Sequence, residues 1–353
     1  MNKNLLIINK AQFGYHTDYY KYCEYLRDEF KVTYLCFDSG FKKLEMDNVN
    51  IKYVSNKGRK IFRGVRFIVT ALLTIASFKG IVFIHYFEKC YILKQIFPKK
   101  KMILDIRTLS ISPDNNIRTK YDNQLKKATK YFNLITIISE GLREKINLNT
   151  KNSEILPLGA DIISTTNKDF NNAIHLLYVG TLNGRNIHQT IIGLLQYLKN
   201  NHIHQRITYD IIGDGAELPY IKRLVLEYKL EDIVKIHGRI PHFEINPFFD
   251  KCNIGISYVP LTEYYEYQPV TKTYEYILSG MPCIATKTYE NKKLITDNNG
   301  VLCNDNPESF AEALNKTISV ITNYNSDIIR KSLSEHTWEN IVKHKLKPIL
   351  KNI

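Results

Sequence analysis

One stretch of the sequence, Pro269 to Thr286, combines a cation, a carboxylate and an expected helix start. Its residues, PVTKTYEYILSGMPCIAT, predict a loop, a helix that begins near Thr271, a stop at Gly280 and then a buried strand. Free N–H groups at such a helix start attract anions, and Lys272 would add a charge for a phosphate. Glu275, one turn further on, is suited to accept hydrogen bonds from paired hydroxyl groups. The alternative is an ordinary connecting helix with a solvated Lys and Glu.

Polar residues also end two expected strands of the N-terminal half. His85 closes the run IVFIHY, and Asp105 and Arg107 close MILDIR. Ligands of parallel sheets bind at the carboxyl ends of the strands, where buried ionisable groups are candidate site residues. We therefore predict that His85, Asp105 and Arg107 are site residues. For His85, a packed structural histidine is the alternative.

A loop-to-helix junction follows the first expected strand, in AQFGYHTDYYKYCEYL. Gly14 would let this loop approach a phosphate closely, or would serve a simple turn. His16 and Asp18 are candidate ligand contacts. Thr17 or Asp18 is equally suited to cap the following helix, and the sequence leaves both roles open.

The segment from 48 to 87 contains seven basic residues and no Asp or Glu. On a helix, the i, i+4, i+7 spacing places three arginines on one face: Arg59, Arg63 and Arg66. Ile61 and Val65 would point to the opposite side. A basic stripe edged by aromatic residues is typical of a helix that binds an anionic bilayer surface, and a solvated basic face is the alternative.

The composition is that of a globular protein with a sizeable core. Of 353 residues, 44% are hydrophobic and 24% are charged, which excludes a disordered chain, a collagen-like repeat and a coiled coil. The net charge of +14 favours anionic partners. Zinc-finger spacing and other nucleic-acid modules are absent from the sequence, so we expect no nucleic-acid partner.

The six cysteines are widely spaced and form neither a CxxC pair nor a cluster with histidine. They predict buried thiols in a reducing compartment, with no metal site and no cofactor. The sequence lacks a secretory signal and the 18 or so apolar residues of a membrane-spanning helix. We therefore expect a cytoplasmic protein, either soluble or peripheral on the inner face of the cell membrane.

Short apolar runs alternate with longer helical patterns throughout the chain. The first series of expected strands covers 5–9, 32–37, 51–54, 81–86, 102–106 and 134–139. The second covers 175–180, 207–213, 233–238, 253–259, 282–286 and 300–304. Fully apolar strands followed by helices are typical of parallel sheets covered on both faces.

The polar segment 161–173 separates the two series and is the expected linker. We predict an α/β fold of two doubly wound, Rossmann-like domains, 1–160 and 165–325, which face each other across a cleft. A helical tail, 326–353, would pack back on the N-terminal domain.

Several segments resemble family 4 glycosyltransferases, which are retaining enzymes of the GT-B fold. The resemblance begins with P-x-x-K-x-x-E-Y and S-G-M-P-C-I-A in the stretch described above. It continues in LLYVGTLNGRNIHQTIIGLL (176–195), YDIIGDGAELPYIKRL (209–224) and VKIHGRIPHFEINPFFDKCNIGISYVP (234–260). In the first half, ITIISEGLREKI (135–146) and ILPLGAD (155–161) are similar to family segments. The order of these segments matches the family over about 130 to 315.

The resemblance implies transfer of a sugar from a nucleotide-diphosphate donor to an acceptor hydroxyl, with retention and without an essential metal. Glu275 would bind donor hydroxyls, Arg185 and Lys272 would neutralise the diphosphate, and Gly14 would make room for a phosphate. Thr271 would add a donor contact at the helix start. The catalytic residues would be Asp105, His85 and Arg185, and the acceptor side would include His16, Asp18 and Arg107. The acceptor would be a glycan or a lipid-linked molecule of bacterial surface-glycan assembly, such as capsule, exopolysaccharide or O-antigen.

Two positions depart from the family pattern. Tyr267 stands where the family carries its first glutamate, and Thr181 stands where it carries an arginine. These departures keep open a binding protein with a degenerate site that acts as a scaffold. A nucleotide-sugar epimerase of the same fold is a further alternative.

Overall fold

The structure is a computed structural model that describes residues 3–200 and 206–353. The chain forms two compact units. The N-terminal unit comprises residues 3–158 together with 338–353, and the C-terminal unit comprises Gly159–Thr337.

The C-terminal tail is divided between the units, whereas the sequence assigned residues 326–353 to a single segment. Trp338 is buried in the N-terminal unit, with its ring 6.0 Å from that of Tyr22. Ser332 belongs to the C-terminal unit, where its hydroxyl accepts a hydrogen bond from Asn299 Nδ2 at 3.0 Å. The chain therefore changes unit at Thr337, at the start of the last helical segments.

The N-terminal unit contains a parallel sheet of seven strands in the order β3-β2-β1-β4-β5-β6-β7. The strands are β1 Lys3–Ile8, β2 Phe30–Asp38, β3 Val49–Ser55, β4 Ile81–His85, β5 Met102–Ile106, β6 Leu134–Ile137 and β7 Ser153–Ile155. β4 and β5 are almost wholly buried, as their continuous apolar sequences predict. The polar strand β7 was not predicted.

Five helices connect these strands: α1 Thr17–Leu26, α2 Lys60–Ser77, α3 Tyr91–Ile96, α4 Asn115–Thr129 and α5 Glu140–Lys145. α2 packs through Phe67, Ala71 and Ile75, which recur at helical spacing on one face. The ring of Phe67 lies 4.6 Å from that of Phe37 on β2. The same unit holds the last helical segments, α13 Trp338–Ile341, a π-helical turn Val342–Leu346 and α14 Lys347–Lys351.

The C-terminal unit contains a parallel sheet of six strands in the order β10-β9-β8-β11-β12-β13. The strands are β8 Ile174–Val179, β9 Ile207–Ile212, β10 Val234–Gly238, β11 Ile254–Ser257, β12 Cys283–Thr286 and β13 Gly300–Cys303. Seven helices accompany them: α6 Ile187–Asn200, α7 Leu218–Glu227, α8 Asn246–Lys251, α9 Thr271–Leu278, α10 Tyr289–Leu294, α11 Pro307–Ser319 and α12 Ser326–Ser332.

The strand order reverses beside the first strand of each sheet, between β1 and β4 and between β8 and β11. Such switch points in open parallel sheets leave a crevice at the carboxyl ends of the strands, where ligands bind. In the C-terminal unit the predicted residues Lys272 and Glu275 lie on α9, which follows β11. Gly280 has a φ of +77°, a left-handed conformation that ends this helix as predicted.

Candidate active site

Lys272 lies at the carboxyl edge of the C-terminal sheet, against the end of β8. Its Nζ is 4.1 Å from the ring centroid of the buried Tyr178. An added Cβ on Gly180 would come within 2.4 Å of the same atom. A glycine is therefore needed at the end of this strand to admit the ammonium group.

The surroundings of Lys272 disfavour the protonated form of its amine. Burial, and then the positive charge of Arg185, lower the pKa of Lys272 to about 7, while Glu275 opposes the shift. An arriving anion would favour the protonated amine. Lys272 is thus poised to gain a charge when an anion binds beside it.

Arg185 lies in the loop between β8 and α6 and covers a second buried tyrosine. Its guanidinium carbon is 4.6 Å from the ring centroid of Tyr265, and its backbone N–H donates to Glu217 Oε1 at 3.1 Å. Among residues 3–200 and 206–353, neither Arg185 nor Lys272 has a carboxylate oxygen within 4.0 Å. Arg185, and Lys272 when its amine is protonated, therefore bring positive charge without a carboxylate partner to one edge of the sheet.

The side chain of Glu275 is largely buried but still reaches solvent. Its side chain is 14% exposed, and its Oε1 lies 3.4 Å from His242 Nε2. Behind it, the buried Thr273 hydroxyl lies 2.7 Å from Ser257 Oγ on β11 and 3.1 Å from Asn291 Oδ1. These contacts fix α9 to the sheet and so fix the position of the carboxylate. Thr271 is exposed at the first position of the helix, after Val270, which provides no side-chain cap.

A cavity of about 440 Å³ opens at the ends of β8 and β9, where it is lined by Gly180, the glycine beside Lys272. Its walls include backbone of Gly180, Gly213 and Gly215 and the side chain of Arg239. An added Cβ on Gly213 would lie 1.8 Å from the carbonyl oxygen of Gly180, and one on Gly215 would lie 2.6 Å from the carbonyl carbon of Leu182. The two loops can approach only because these positions are glycines.

Tyr267 and Thr181, the two positions that depart from the expected pattern, make local contacts. The ring of Tyr267 packs 5.0 Å from that of Tyr289. Thr181 is exposed, and its carbonyl oxygen accepts a hydrogen bond from the Tyr178 hydroxyl at 2.8 Å.

Asp105, predicted as catalytic, is fully buried in the N-terminal unit. Its two oxygens accept hydrogen bonds from the hydroxyls of Tyr19 at 2.5 Å and Thr136 at 2.6 Å. Burial raises the pKa of Asp105, although Arg107 and these hydrogen bonds oppose the rise. The carboxyl therefore joins α1, β5 and β6 inside the unit, and the catalytic role expected of it stays a prediction.

Arg107 and Asp18, predicted to face an acceptor, pair with each other. Arg107 Nε lies 2.7 Å from Asp18 Oδ2, and both residues are buried. The guanidinium also donates to the carbonyl oxygens of Leu156 and Pro157. Neither Asp18 nor Thr17 caps α1, whose N-cap is His16 without a side-chain cap. The ion pair gives these two residues a structural role, and the acceptor contact expected of them stays a prediction.

His16 and His85 lie together, with ring centroids 5.0 Å apart. Burial, and then the charges of His16 and Arg107, lower the pKa of His85 to about 3. Burial also lowers the pKa of His16. Both rings are therefore neutral near pH 7, and His16 Nδ1 has no hydrogen-bond partner among the described residues. These two remain candidates for contact with a neutral substrate group.

Gly14 has a φ of +89°, which favours glycine, and an added Cβ would lie 2.4 Å from Leu44 Cδ1. The space at Gly14 is thus filled by Leu44, so in this structure the glycine serves loop packing. This differs from the expected phosphate contact.

The three arginines expected to form a basic stripe do not all project freely into solvent. Arg63 donates to Asn56 Oδ1 at 3.1 Å, and Arg66 donates to the carbonyl oxygen of Ser55 at 2.8 Å. Arg59 is the N-cap residue of the helix. The solvent-facing side chains beside them include Ile61 and Val65. The face most open to solvent is therefore apolar, with the arginines along its border.

Sequence reasoning missed Tyr178, Tyr265 and Arg239 as parts of the site. The two tyrosines resemble ordinary core residues in the sequence, and their cation contacts form only through the fold. Arg239 follows directly after β10, and that position at a strand end was the available signal.

In the part of the chain that the structure describes, no group of three His, Cys, Asp or Glu side chains could hold a metal ion. All six cysteines are free and buried. No helix among the described residues is long and apolar enough to cross a membrane.

Comparison with known proteins agrees with this architecture. The chain is similar to the structure of sucrose-phosphate synthase from Thermosynechococcus elongatus, with 14% identity, a TM-score of 0.76, and coverage of 99% of this chain and 98% of the other. A glycosyltransferase from Rickettsia africae gives 14% identity, a TM-score of 0.74 and coverage of 99% and 98%. HepE from Anabaena, solved in complex with UDP-glucose, gives 15% identity, a TM-score of 0.73, and coverage of 99% of this chain and 100% of the other. Two parallel-sheet α/β units with such neighbours define the GT-B fold.

A family model described as "Glycosyl transferases group 1" matches residues 162–331. The match lies within the C-terminal unit and covers just under half of the chain. None of the curated proteins matches the sequence significantly.

Proposed function

We propose that this protein is a glycosyltransferase that moves a sugar from a nucleotide-diphosphate sugar to an acceptor hydroxyl. The observation that carries the proposal is the pair of cations, Lys272 and Arg185, at the glycine-lined edge of the group 1 domain. A bound diphosphate would place negative charge beside these two side chains, which have no carboxylate partner among the described residues. Its departure would be assisted by the same charges, since fixed cations stabilise a leaving group without a metal ion.

Glu275 would bind the donor sugar. It lies one helical turn from Lys272, and a carboxylate accepts hydrogen bonds from vicinal hydroxyls at about 1.5–3 kcal/mol each. The finer elements of the proposal are retention at the anomeric carbon, implied by the family resemblance, and a glycan or lipid-linked acceptor of bacterial surface-glycan assembly. The neutral pair His16 and His85 is the candidate acceptor contact in the N-terminal unit.

The first experiment is a thermal-shift screen against UDP-, GDP-, ADP- and CMP-sugars. A ligand that binds the folded state raises its melting temperature, by an amount that grows with ligand concentration over Kd. Binding followed by sugar transfer to a glycan or lipid-linked acceptor would support the proposal. Binding without transfer or hydrolysis would favour a scaffold, and release of an epimer without an acceptor would favour an epimerase.

Glu275→Gln tests the sugar contact. The amide keeps the shape but loses the charge, so transfer should fall at least about tenfold while the melting temperature stays near wild type. The matched control is Glu227→Gln, at an exposed glutamate on α7, which should leave transfer unchanged. Normal transfer by Glu275→Gln would remove the carboxylate from the site.

A further inference from the structure

The outward face of α2 is apolar over most of its length. Four side chains follow one another at i, i+4, i+8 and i+12 and a fifth lies between them: Ile61 (74% exposed), Val65 (58%), Val69 (46%), Leu73 (70%) and Phe62 (60%). This row is about 18 Å long at the helical rise of about 1.5 Å per residue. Contiguous exposed apolar patches of this kind mark interaction sites in soluble proteins.

The opposite face of α2 is firmly held. Phe67, Ala71 and Ile75 are fully buried, and the ring of Phe67 contacts both Phe37 and Phe87. The helix is therefore fixed on its sheet and presents its outer row as a rigid ridge.

Basic residues form a positive border along one edge of this ridge and at its N-terminal end. Arg63 and Arg66 are held beside it by hydrogen bonds to residues 55–57, and Arg59 and Lys60 stand at its N-terminal end. Between 48 and 87 the sequence contains no acidic residue.

We propose that the outer face of α2 inserts into the interfacial region of an anionic lipid bilayer. An apolar row with cations along its edge matches the headgroup boundary, because the row enters the acyl region while the cations meet anionic headgroups. A second copy of the chain fits less well. A two-fold contact through α2 would bring the basic border of one copy against the basic border of the other. The segment 48–87 contains no carboxylate that could neutralise these charges.

Sedimentation with vesicles tests this inference. Wild-type protein should bind vesicles of about three parts phosphatidylcholine to one part phosphatidylglycerol, and should bind pure phosphatidylcholine at least about tenfold more weakly. The double variant Val69→Glu/Leu73→Glu should lose at least about tenfold in partitioning, since it removes apolar contact and adds repulsive charge. Both residues are exposed, so the fold should survive, as circular dichroism would verify.

A matched control is Leu226→Glu, at a leucine that is 63% exposed on α7 of the C-terminal unit. This control should sediment like wild type. Binding that is insensitive to the α2 variant, or wild-type protein that ignores anionic vesicles at low salt, would overturn the inference. So would a wild-type dimer in light scattering that the α2 variant dissociates, because the face would then be a self-interface.

The depth to which α2 inserts is tested by fluorescence quenching of the variant Leu73→Trp. The vesicles contain phosphatidylglycerol and phosphatidylcholine that is brominated on its acyl chains. The natural Trp338 is 1% exposed, so quenching would report the introduced indole. We expect strong quenching, and unquenched fluorescence of the bound variant would refute insertion. None of these measurements needs a nucleotide sugar, so failure here leaves the proposed transferase activity untouched.

Discussion

Donor binding should depend steeply on pH through Lys272. The pKa of its amine is about 7 in the absence of ligand, because burial and Arg185 disfavour the charge. A bound diphosphate would place two negative groups beside the amine and restore its pKa toward the usual range. Binding then favours the protonated amine and draws a proton from solution above about pH 7.

The size of the effect follows from the titration. With a pKa of about 7, the protonated fraction falls from about 10/11 at pH 6 to about 1/11 at pH 8. The affinity for a nucleotide sugar should therefore fall about tenfold between these values, with uptake of about 0.9 proton per ligand at pH 8. The phosphodiester oxygens of a nucleotide sugar do not titrate in this window, so the ligand adds no slope of its own.

Isothermal titration calorimetry with the nucleotide sugar found by thermal shift, repeated in buffers of different ionisation enthalpy, measures both quantities. Lys272→Arg keeps a charge at every pH of the series and should flatten the profile. A wild-type affinity that is constant from pH 6 to pH 8, with no proton uptake, would refute the assignment of the diphosphate to Lys272. Without ligand, the folded-state pKa lies below that of the unfolded chain, so Lys272 should make stability rise with pH from about 7 to 10.5.

Two further predictions concern single side chains. Arg185→Ala should lower turnover by about 100-fold or more, because charge on the leaving diphosphate grows in the transition state; steady-state kinetics would contradict this role if only the donor KM changed. Asp18→Ala should destabilise the protein by about 3 kcal/mol in denaturant unfolding, because it leaves the buried Arg107 without its ion-pair partner. Stability within about 0.5 kcal/mol of wild type would mean that the backbone acceptors of Arg107 suffice.

Much of the fold follows from local sequence patterns. Runs such as IVFIH and MILDI predicted buried parallel strands because apolar residues there have no polar face to expose. The start of α9 at Thr271 and its end at Gly280 were also predicted, because a helix start and a left-handed stop depend on a few neighbouring residues. β7, with only three residues and a central Glu154, carries too weak an apolar pattern to be recognised.

Parts of the candidate site could not be predicted, because they depend on partners far away in the chain. Asp105 at a strand end has the profile of a site residue, but its two oxygens accept hydrogen bonds from Tyr19 and Thr136, which are distant in the sequence. Arg107 likewise meets Asp18, which lies 89 positions earlier. In the other unit, the tyrosine beneath Lys272 belongs to a strand almost one hundred residues before it. Such pairings are fixed by topology, and a local pattern carries no information about them.

The crossing of the chain at Thr337 has a consequence for biosynthesis. The C-terminal unit is inserted into the sequence of the N-terminal unit, so the sixteen residues 338–353 of the N-terminal unit are translated after the inserted unit. On the ribosome, the inserted unit can complete its core while the N-terminal unit still lacks Trp338 and the lysines that pair with Glu29. The N-terminal unit thus emerges before the inserted unit and is completed after it, and a nascent chain must keep the surface around Tyr22 uncovered until residues 338–353 emerge.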